Sequence, residues 1–308
     1  MSRVTVIGGA NTDIVGVPGS GLSMYDSNPG RVTVSAGGVG RNVAENLARL
    51  GLQVTLLTAF GDDANGRARR AECEDAGIDV AREIRCAGVP GSVYLAVLDD
   101  RGDLVVAVND MRALEAVGPD EIAVAVEGLA RQDALVFDAN IGTDSLMRAR
   151  ELMPDASLFL ECVSSAKAPR LTGLLDGAAA VHANVLEATA LTGEAFEQSV
   201  EGAARAAAAL VALGVGAAYV TAGEYGVAYA TAGSRGTFGP PVDTVVNATG
   251  AGDAFMAGIV ASTLAGHDPR ECTGFAIACA AITLGSEDTV APALTRDAVE
   301  ARMREMLP

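Results

Sequence analysis

The chain has few positive charges, few aromatic side chains and no tryptophan. Its 308 residues include 22 lysines and arginines against 39 aspartates and glutamates, which gives a formal net charge of −17. This acidic balance argues against a surface that binds nucleic acid or an anionic membrane. Lys167 is the only lysine, so a Walker-type phosphate loop with Gly-Lys-Ser/Thr is excluded. Any bound phosphate must therefore be held mainly by backbone amides and a few selected cations.

Paired cysteines and long apolar runs are also lacking. The five cysteines are scattered and odd in number, which predicts reduced, buried thiols in a cytoplasmic protein. The longest apolar run, Ala206–Val220, is broken by two glycines and is shorter than the roughly 20 residues of a membrane-spanning helix. We also expect no signal peptide, because the apolar stretch 4–10 is short and is followed by Asn-Thr-Asp.

Short apolar strands alternate with helices that often stop at glycine. Strands are expected at 4–7, 54–58, 134–137, 157–160, 178–182 and 217–221, and helices at 42–50, 66–76, 144–152, 185–192, 200–213, 251–265, 268–284 and 295–306. This alternation predicts an α/β fold, with a doubly wound, mostly parallel central sheet and helices on both faces. We expect the whole chain, 1–308, to form one domain.

Two segments interrupt the alternation. The segment 14–35 has no helical pattern, and the segment 92–110 is typical of a hairpin that turns at 99–102. The two inserts predict either a small β lid over a ligand site or simple edge strands. Exposed strand edges in a lid would favour a homodimer joined through it.

The most informative motif is Asn-Ala-Thr-Gly-Ala-Gly-Asp-Ala-Phe at 247–255, which opens an apolar helix. The backbone amides of Gly250, Ala251 and Gly252 lie at a helix N-terminus, where an anion is favoured. Asp253 stands in the first turn, where a carboxylate can meet a substrate proton. An anion hole beside a base is what phosphoryl transfer to an alcohol requires.

Two further motifs offer groups for a hydroxylated ligand, although each has an ordinary structural explanation. Residues 35–42 open a helix with several glycines and end on Asn42, whose amide can bind a hydroxyl group. Residues 11–13, Asn-Thr-Asp, follow the first strand, at the edge where open α/β sheets bind ligands. They suit a vicinal diol, and they equally suit a stabilised turn. The first strand lacks the Gly-x-Gly-x-x-Gly sequence of dinucleotide-binding proteins, which argues against a nicotinamide-dependent oxidoreductase.

Two more motifs point to a nucleotide. Asn184 and Glu187 stand at a helix start, where they fit either a capping box or a metal site. Residues 221–227, Thr-Ala-Gly-Glu-Tyr-Gly-Val, are expected to turn from a strand end into a hairpin. This turn either presents amides to a nucleotide phosphate or is an ordinary turn.

The order of these five motifs resembles the ribokinase-like sugar kinases, the phosphofructokinase B-type family, over essentially the whole chain. Several stretches resemble the pseudouridine kinases of that family in particular, at 25–30, 37–48, 108–111, 138–141, 163–167 and 247–250. The resemblance implies an ATP-dependent kinase that uses Mg²⁺ and phosphorylates the 5′-hydroxyl of pseudouridine.

The resemblance also implies roles for individual residues. Asp253 would be the base, and Gly250, Ala251 and Gly252 would form the anion hole. Nucleotide contacts would come from Asn184, Thr221, Gly223, Gly226 and Thr249, and Mg²⁺ would be held through water by Asn184 and Glu187. The substrate would contact Asn11, Asp13, Gly38 and Asn42, with Asn109, Asn140 and Lys167 near its base. Residues 27–30 and the hairpin would form the lid.

Two positions depart from the family pattern. His182 stands where relatives often carry lysine, and the simpler interpretation is a histidine packed at a strand end. Asn247 replaces an acidic residue that helps to bind potassium in many relatives, which places potassium activation in doubt. A kinase for ribose or another nucleoside, and a nucleoside-binding protein that has lost turnover, therefore remain alternatives.

Overall fold

The computed structural model describes residues 1–241 and 245–306. Its strands are β1 (Arg3–Ile7), β2 (Asn11–Pro18), β3 (Gly30–Gly37), β4 (Gln53–Leu57), β5 (Val93–Leu98), β6 (Leu104–Asp110), β7 (Ala134–Asp138), β8 (Ser157–Glu161), β9 (Ala180–Asn184), β10 (Ala217–Thr221), β11 (Val227–Thr231) and β12 (Arg235–Phe238). Its α-helices are α1 (Val39–Arg49), α2 (Ala64–Asp75), α3 (Arg112–Glu115), α4 (Pro119–Val126), α5 (Thr143–Leu152), α6 (Val185–Thr192), α7 (Val200–Ala212), α8 (Ala251–Leu264), α9 (Pro269–Leu284) and α10 (Arg296–Met306).

Eight strands form the central sheet, in the order β12-β11-β10-β9-β8-β7-β1-β4. The pairs from β4 to β10 are parallel, whereas β11 and β12 add an antiparallel edge. The expected doubly wound, mostly parallel sheet is therefore confirmed. The chain places β4 on one side of β1 and β7 on the other, so the carboxyl ends of β1 and β7 form a switch point, where such sheets bind ligands.

Alternate residues of the buried strands divide the core into two layers. Leu135 and Phe137 of β7 pack into one cluster with α4, α5, α6 and α7, whereas Ala134 and Val136 pack into the other with α1, α8 and α9. This is the two-sided burial expected of parallel strands covered by helices on both faces. None of the helices in the described residues combines the length and apolar character needed to cross a bilayer. All five cysteines are buried with free thiols.

The two inserts form a separate four-stranded sheet, in the order β3-β2-β5-β6. It extends beyond the predicted segments, because β2 begins at Asn11 and β3 ends at Gly37. Residues 11–13, considered above as a turn, are thus the first residues of β2, and Asn11 pairs with Gly37. We call this sheet the small sheet.

Some elements differ from the sequence prediction. Helices α3 and α4 and strand β12 were not predicted, and β11 was expected only as the second arm of the hairpin at 221–227. Helix α1 begins three residues earlier than expected, and β9 is shifted to Ala180–Asn184. Short elements carry weak periodicity, and their stability comes from packing rather than propensity. The prediction of one domain over 1–308 includes residues 242–244 and 307–308, which lie outside the described residues.

Candidate active site

Asp138, the last residue of β7, joins three parts of the chain at the switch point. Its Oδ2 accepts hydrogen bonds from the backbone N–H groups of Gly9 and Gly40, at 2.8 and 2.7 Å, and from Nδ2 of Asn140 at 3.0 Å. Its Oδ1 accepts from the backbone N–H of Asn140 at 2.9 Å. Side chains cannot be added at Gly8 or Gly40 without collision, because the two backbones touch there. No local pattern in the sequence marks Asp138 as a junction.

Asp253 and Asn42, predicted as the base and a substrate contact, lie together. Nδ2 of Asn42 donates to Oδ2 of Asp253 at 2.8 Å, and Oδ1 of Asn42 accepts from Nη1 of Arg41 at 3.1 Å. The amide of Asn42 is therefore oriented at both ends, which fixes the rotamer that meets Asp253. A residue of the first helix thus holds the carboxylate at the start of α8.

The pKa of the Asp253 carboxyl is well above its ordinary value. Burial by the surrounding protein is the main cause, and the negative charges of Glu161 and Asp138 add to it, whereas the hydrogen bond from Asn42 and the charge of His182 oppose it. A carboxylate with a raised pKa is a better proton acceptor than an exposed one once it is ionised.

The N-terminus of α8, predicted to bind an anion, begins at a glycine. Gly250 precedes the helix with a φ of 83°, in the left-handed region, and no side chain caps this N-terminus among the described residues. A Cβ at Gly250 would collide with the carbonyl oxygen of Thr289. Glycine is required there by both the backbone angle and the close approach.

Asp13 lies on the small sheet beside the glycine-rich start of α1. Nδ2 of Asn11 donates to Oδ1 of Asp13 at 2.5 Å, and a side chain at Gly37 would collide with the same carboxylate. Burial raises the pKa of Asp13, against the lowering effects of the Asn11 hydrogen bond and of nearby arginines. At Gly38 the φ of 99° and the backbone of residues 9–10 leave room for glycine alone.

One cavity is lined by the residues that were predicted to lie near the nucleobase of the substrate. It has a volume of about 780 Å³, and its lining includes Asn109, Asn140 and Lys167. Nζ of Lys167 donates to Oδ1 of Asn140 at 2.6 Å, while Nδ2 of Asn140 is held by Asp138. Arg170, which stands outside the predicted site motifs, lines the same cavity. Burial lowers the pKa of Lys167, the positive charge of Arg170 adds to this effect, and Asp138 opposes both.

A second cavity collects residues predicted for the nucleotide. It has a volume of about 960 Å³, and Asn184, Thr221, Gly223, Gly226, Ala251 and Gly252 are part of its lining. Its other walls are largely apolar, as is usual for small-molecule pockets. The apolar residues there are Leu186, Val227, Pro240, Pro241, Val245, Ala248, Phe255, Ile277, Ala280 and Leu284, and Gln198 and Glu224 complete the lining. Thr249 and Glu187 are not among its lining residues. The apolar residues gave no sequence signal, because core and pocket positions share the same hydrophobic pattern.

Asn184 and Glu187 form the reciprocal capping box that the sequence allowed. Oδ1 of Asn184 accepts from the backbone N–H of Glu187 at 2.9 Å, and Oε2 of Glu187 accepts from the backbone N–H of Asn184 at 2.8 Å. One carboxylate oxygen of Glu187 remains for a water ligand, a donor set that suits Mg²⁺ bound mainly through water. The described residues contain no cluster of three or more His, Cys, Asp or Glu with metal-binding geometry.

His182 forms a buried pair that the sequence did not reveal. Its Nδ1 lies 2.6 Å from Oε2 of Glu161, both side chains are buried, and its ring packs 4.9 Å from that of Phe255. Burial by itself would lower the pKa of His182, but the neighbouring carboxylates of Glu161, Glu187 and Asp253 outweigh it and raise the pKa. The interpretation of His182 as a packed strand-end residue is thus incomplete, because its ring also forms a buried hydrogen bond with Glu161, which favours the protonated imidazole.

The fold and the site together define a phosphotransferase with an alcohol acceptor, since a carboxylate and an uncapped helix start lie at the edge of a ribokinase-like sheet. The chain belongs to the pfkB family of carbohydrate kinases, whose model matches residues 1–296. It is therefore a sugar or nucleoside kinase of an ATP-using family.

Individual relatives agree with this assignment. The pseudouridine kinase of Escherichia coli (strain K12) is 34% identical over 296 residues, which cover 95% of this chain and 93% of that protein. A carbohydrate kinase from Agrobacterium tumefaciens superposes with a TM-score of 0.87 at 30% identity, over 100% of this chain and 98% of that one. A putative ribokinase II from E. coli, solved in complex with ATP and Mg²⁺, shares the fold with a TM-score of 0.83 at 16% identity, over 99% of this chain and 100% of that one.

Proposed function

We propose that the protein transfers the γ-phosphoryl group of ATP to the 5′-hydroxyl of pseudouridine and gives pseudouridine 5′-phosphate. The contact between Asn42 and Asp253, next to the uncapped start of α8, is the observation that carries the proposal. It supplies a proton acceptor beside an anion hole, with a polar cavity and an apolar cavity for the two substrates. The 34% identity to a pseudouridine kinase supports the choice of nucleoside.

The proposed mechanism relies on position and charge. Asp253 accepts the proton of the 5′-hydroxyl as the phosphoryl group moves, and the amides at Gly250, Ala251 and Gly252 stabilise the negative charge on its oxygens. Asn184 and Glu187 would hold Mg²⁺ through water, where the ion neutralises charge on the triphosphate. Thr221, Gly223, Gly226 and Thr249 would contact the nucleotide.

The ribose and base would be bound by polar groups of both sheets. Asn11, Asp13, Gly38 and Asn42 would contact the ribose hydroxyls, because they lie at the junction of the small sheet and α1. Uracil presents two carbonyl oxygens, and Lys167 is a donor in the adjoining cavity, whose lining also includes Asn109 and Asn140. Residues 27–30 and the hairpin would close over the substrate and exclude water.

A homodimer through the small sheet is part of the proposal. Val34 of β3 and Leu95 of β5 both pair with Ile14 of β2, and Val108 of β6 pairs with Leu95, so these side chains form one row across the small sheet. Val34, Leu95 and Val108 are 60%, 41% and 63% exposed. Exposed apolar rows of this kind mark interaction surfaces. Light scattering should show a dimer for the parent and a monomer for Val108→Lys, and a monomeric parent would refute this part.

An ADP-release assay over pseudouridine, uridine, cytidine, adenosine and ribose tests the function. Pseudouridine should give the highest kcat/KM, and Asp253→Asn should remove most of the turnover for every acceptor. Equal or better turnover of ribose or a standard nucleoside would show that pseudouridine is not the preferred substrate. Nucleoside binding without ADP release would instead favour a binding protein that has lost turnover.

A further inference from the structure

The loop that leads into α8 is tied to the segment after α9 by one side chain, that of Asn247. Nδ2 of Asn247 donates to the backbone carbonyl oxygen of Glu287 at 3.0 Å, and its Oδ1 accepts from the backbone N–H of Thr249 at 2.9 Å. The two chain segments also meet where the backbone N–H groups of Val246 and Asn247 donate to the carbonyl oxygen of Leu284, at 2.8 and 3.4 Å. The side-chain amide therefore adds to these backbone contacts a link between the anion-binding loop and a residue 40 positions further along the chain.

The orientation of this amide is fixed by its partners. A carbonyl oxygen can only accept, and a backbone N–H can only donate, so Nδ2 must face Glu287 and Oδ1 must face Thr249. The reverse orientation would bring two acceptors together at one end and two donors at the other.

The link bears on the anion hole because the same loop contains Gly250. At that residue the loop lies so close to the carbonyl of Thr289 that no side chain fits. A separation of residues 247–250 from 284–289 would move the first amides of α8. A displacement of about 1 Å at a catalytic group costs on the order of a hundredfold in rate.

A carboxylate at position 247 would have the opposite effect. One of its oxygens would still accept from Thr249, but the other would face the carbonyl oxygen of Glu287 at the distance now spanned by a hydrogen bond. Two acceptors at about 3 Å repel each other unless a cation or a proton lies between them. An acidic residue at this position would therefore need a cation there, whereas the amide supplies its own donor. The potassium ion expected from many relatives does not fit the residues present at this point.

We propose that the side chain of Asn247 takes the place of a bound monovalent cation in holding the anion-binding loop against residues 284–289, so that catalysis does not require potassium. The inference rests on the proposed kinase function for its activity readout and on the fold alone for its stability readout. Asn247 acts here as a positioning residue, because it touches the loop and not the substrate.

The test compares the parent with Asn247→Asp in potassium, sodium or tetramethylammonium chloride at equal ionic strength. ADP release by the parent should be the same in all three salts. The Asp variant should lose about tenfold or more in tetramethylammonium and should regain activity in potassium or sodium. Asn65→Asp, which adds the same charge in the first turn of α2, should show neither effect.

Thermal stability gives a readout that is independent of the substrate. Potassium should raise the Tm of Asn247→Asp relative to tetramethylammonium and leave the Tm of the parent and of Asn65→Asp unchanged. The inference is overturned if potassium activates the parent about tenfold, or if the Asp variant equals the parent in both readouts without potassium. If no nucleoside is phosphorylated but the Tm pattern holds, the proposed function fails while the role of Asn247 stands.

Discussion

Replacement of Asp253 by asparagine should separate activity from stability. Asparagine keeps an oxygen that can accept the 2.8 Å hydrogen bond from Asn42, so the local structure should be retained. It cannot accept a proton at neutral pH. We therefore expect kcat to fall by about 10²–10⁴, the usual contribution of a general base, which corresponds to roughly 3–5 kcal/mol of transition-state free energy.

The same variant should be more stable than the parent. A carboxyl group whose pKa is raised in the folded state binds its proton more tightly there than in the unfolded chain. It therefore stabilises the fold fully below the unfolded pKa of about 3.9, and this stabilisation is lost as the pH rises through the folded pKa. At neutral pH the raised pKa of Asp253 therefore lowers the stability of the native state relative to acid, and the asparagine carries no such cost. Such a functional-site change typically gains about 0.5–2 kcal/mol, and about 1 kcal/mol raises Tm by roughly 2–4 °C or less in a chain of this size.

ADP release gives the activity, and urea denaturation followed by circular dichroism, as a function of pH, gives the stability. The stability advantage of Asp253→Asn should grow with pH and vanish in acid. Asp297→Asn is the matched control, because Asp297 is an exposed aspartate in the first turn of α10; it should leave turnover unchanged and lose about 0.3–1 kcal/mol of helix-dipole stabilisation. Turnover of Asp253→Asn within tenfold of the parent would refute the base, and a loss of stability would refute the electrostatic argument.

Three further substitutions test the surroundings of the site. Gly250→Ala should lose at least about tenfold in kcat and some stability. Gly266→Ala, at the same φ of 83° but in open space, should lose only about 1 kcal/mol of folding stability. Equal behaviour of the two variants in ADP-release and urea assays would refute the need for close approach at Gly250. Asp138→Asn should destabilise by about 1–3 kcal/mol in urea, because its amide would face an N–H donor, and an unchanged midpoint would contradict this. Glu161→Gln should cost about 3–5 kcal/mol of folding stability, because it leaves the imidazolium of His182 without its partner. The loss should be largest below about pH 6.5 and should shrink as the pH rises through the raised folded pKa of His182. A pH-independent difference in Tm would argue against the ion pair.

The sequence predicted the elements whose signals are local. The glycines before Asp253, the capping box at Asn184 and the parallel strands of the central sheet all follow from interactions within a few residues. The fold class followed from the order of strands and helices along the chain, and the family followed from the order of the five motifs. The edge strand β12 and the short helices α3 and α4 were missed, because their stability comes from neighbours that the local pattern does not contain.

Other features of the site required the tertiary structure. Asp138 became recognisable as a junction only when β1 and β7 were adjacent, and the Glu161–His182 pair only when β8 and β9 were in register. A carboxylate at a strand end looks the same in the sequence whether it is buried against a histidine or exposed to solvent.

The sequence alone therefore determined the parts of the site, and the tertiary structure decided which of them meet. The motif at 247–255 specifies a helix start with free amides and a carboxylate, because backbone angles and helix position are set locally. Asn42 lies 211 residues away from Asp253, and their hydrogen bond exists because α1 and α8 pack into the same layer of the core. Parallel strands with helical crossovers bring distant helix starts to one edge of the sheet, and only the register and packing of those strands set the distance between two side chains.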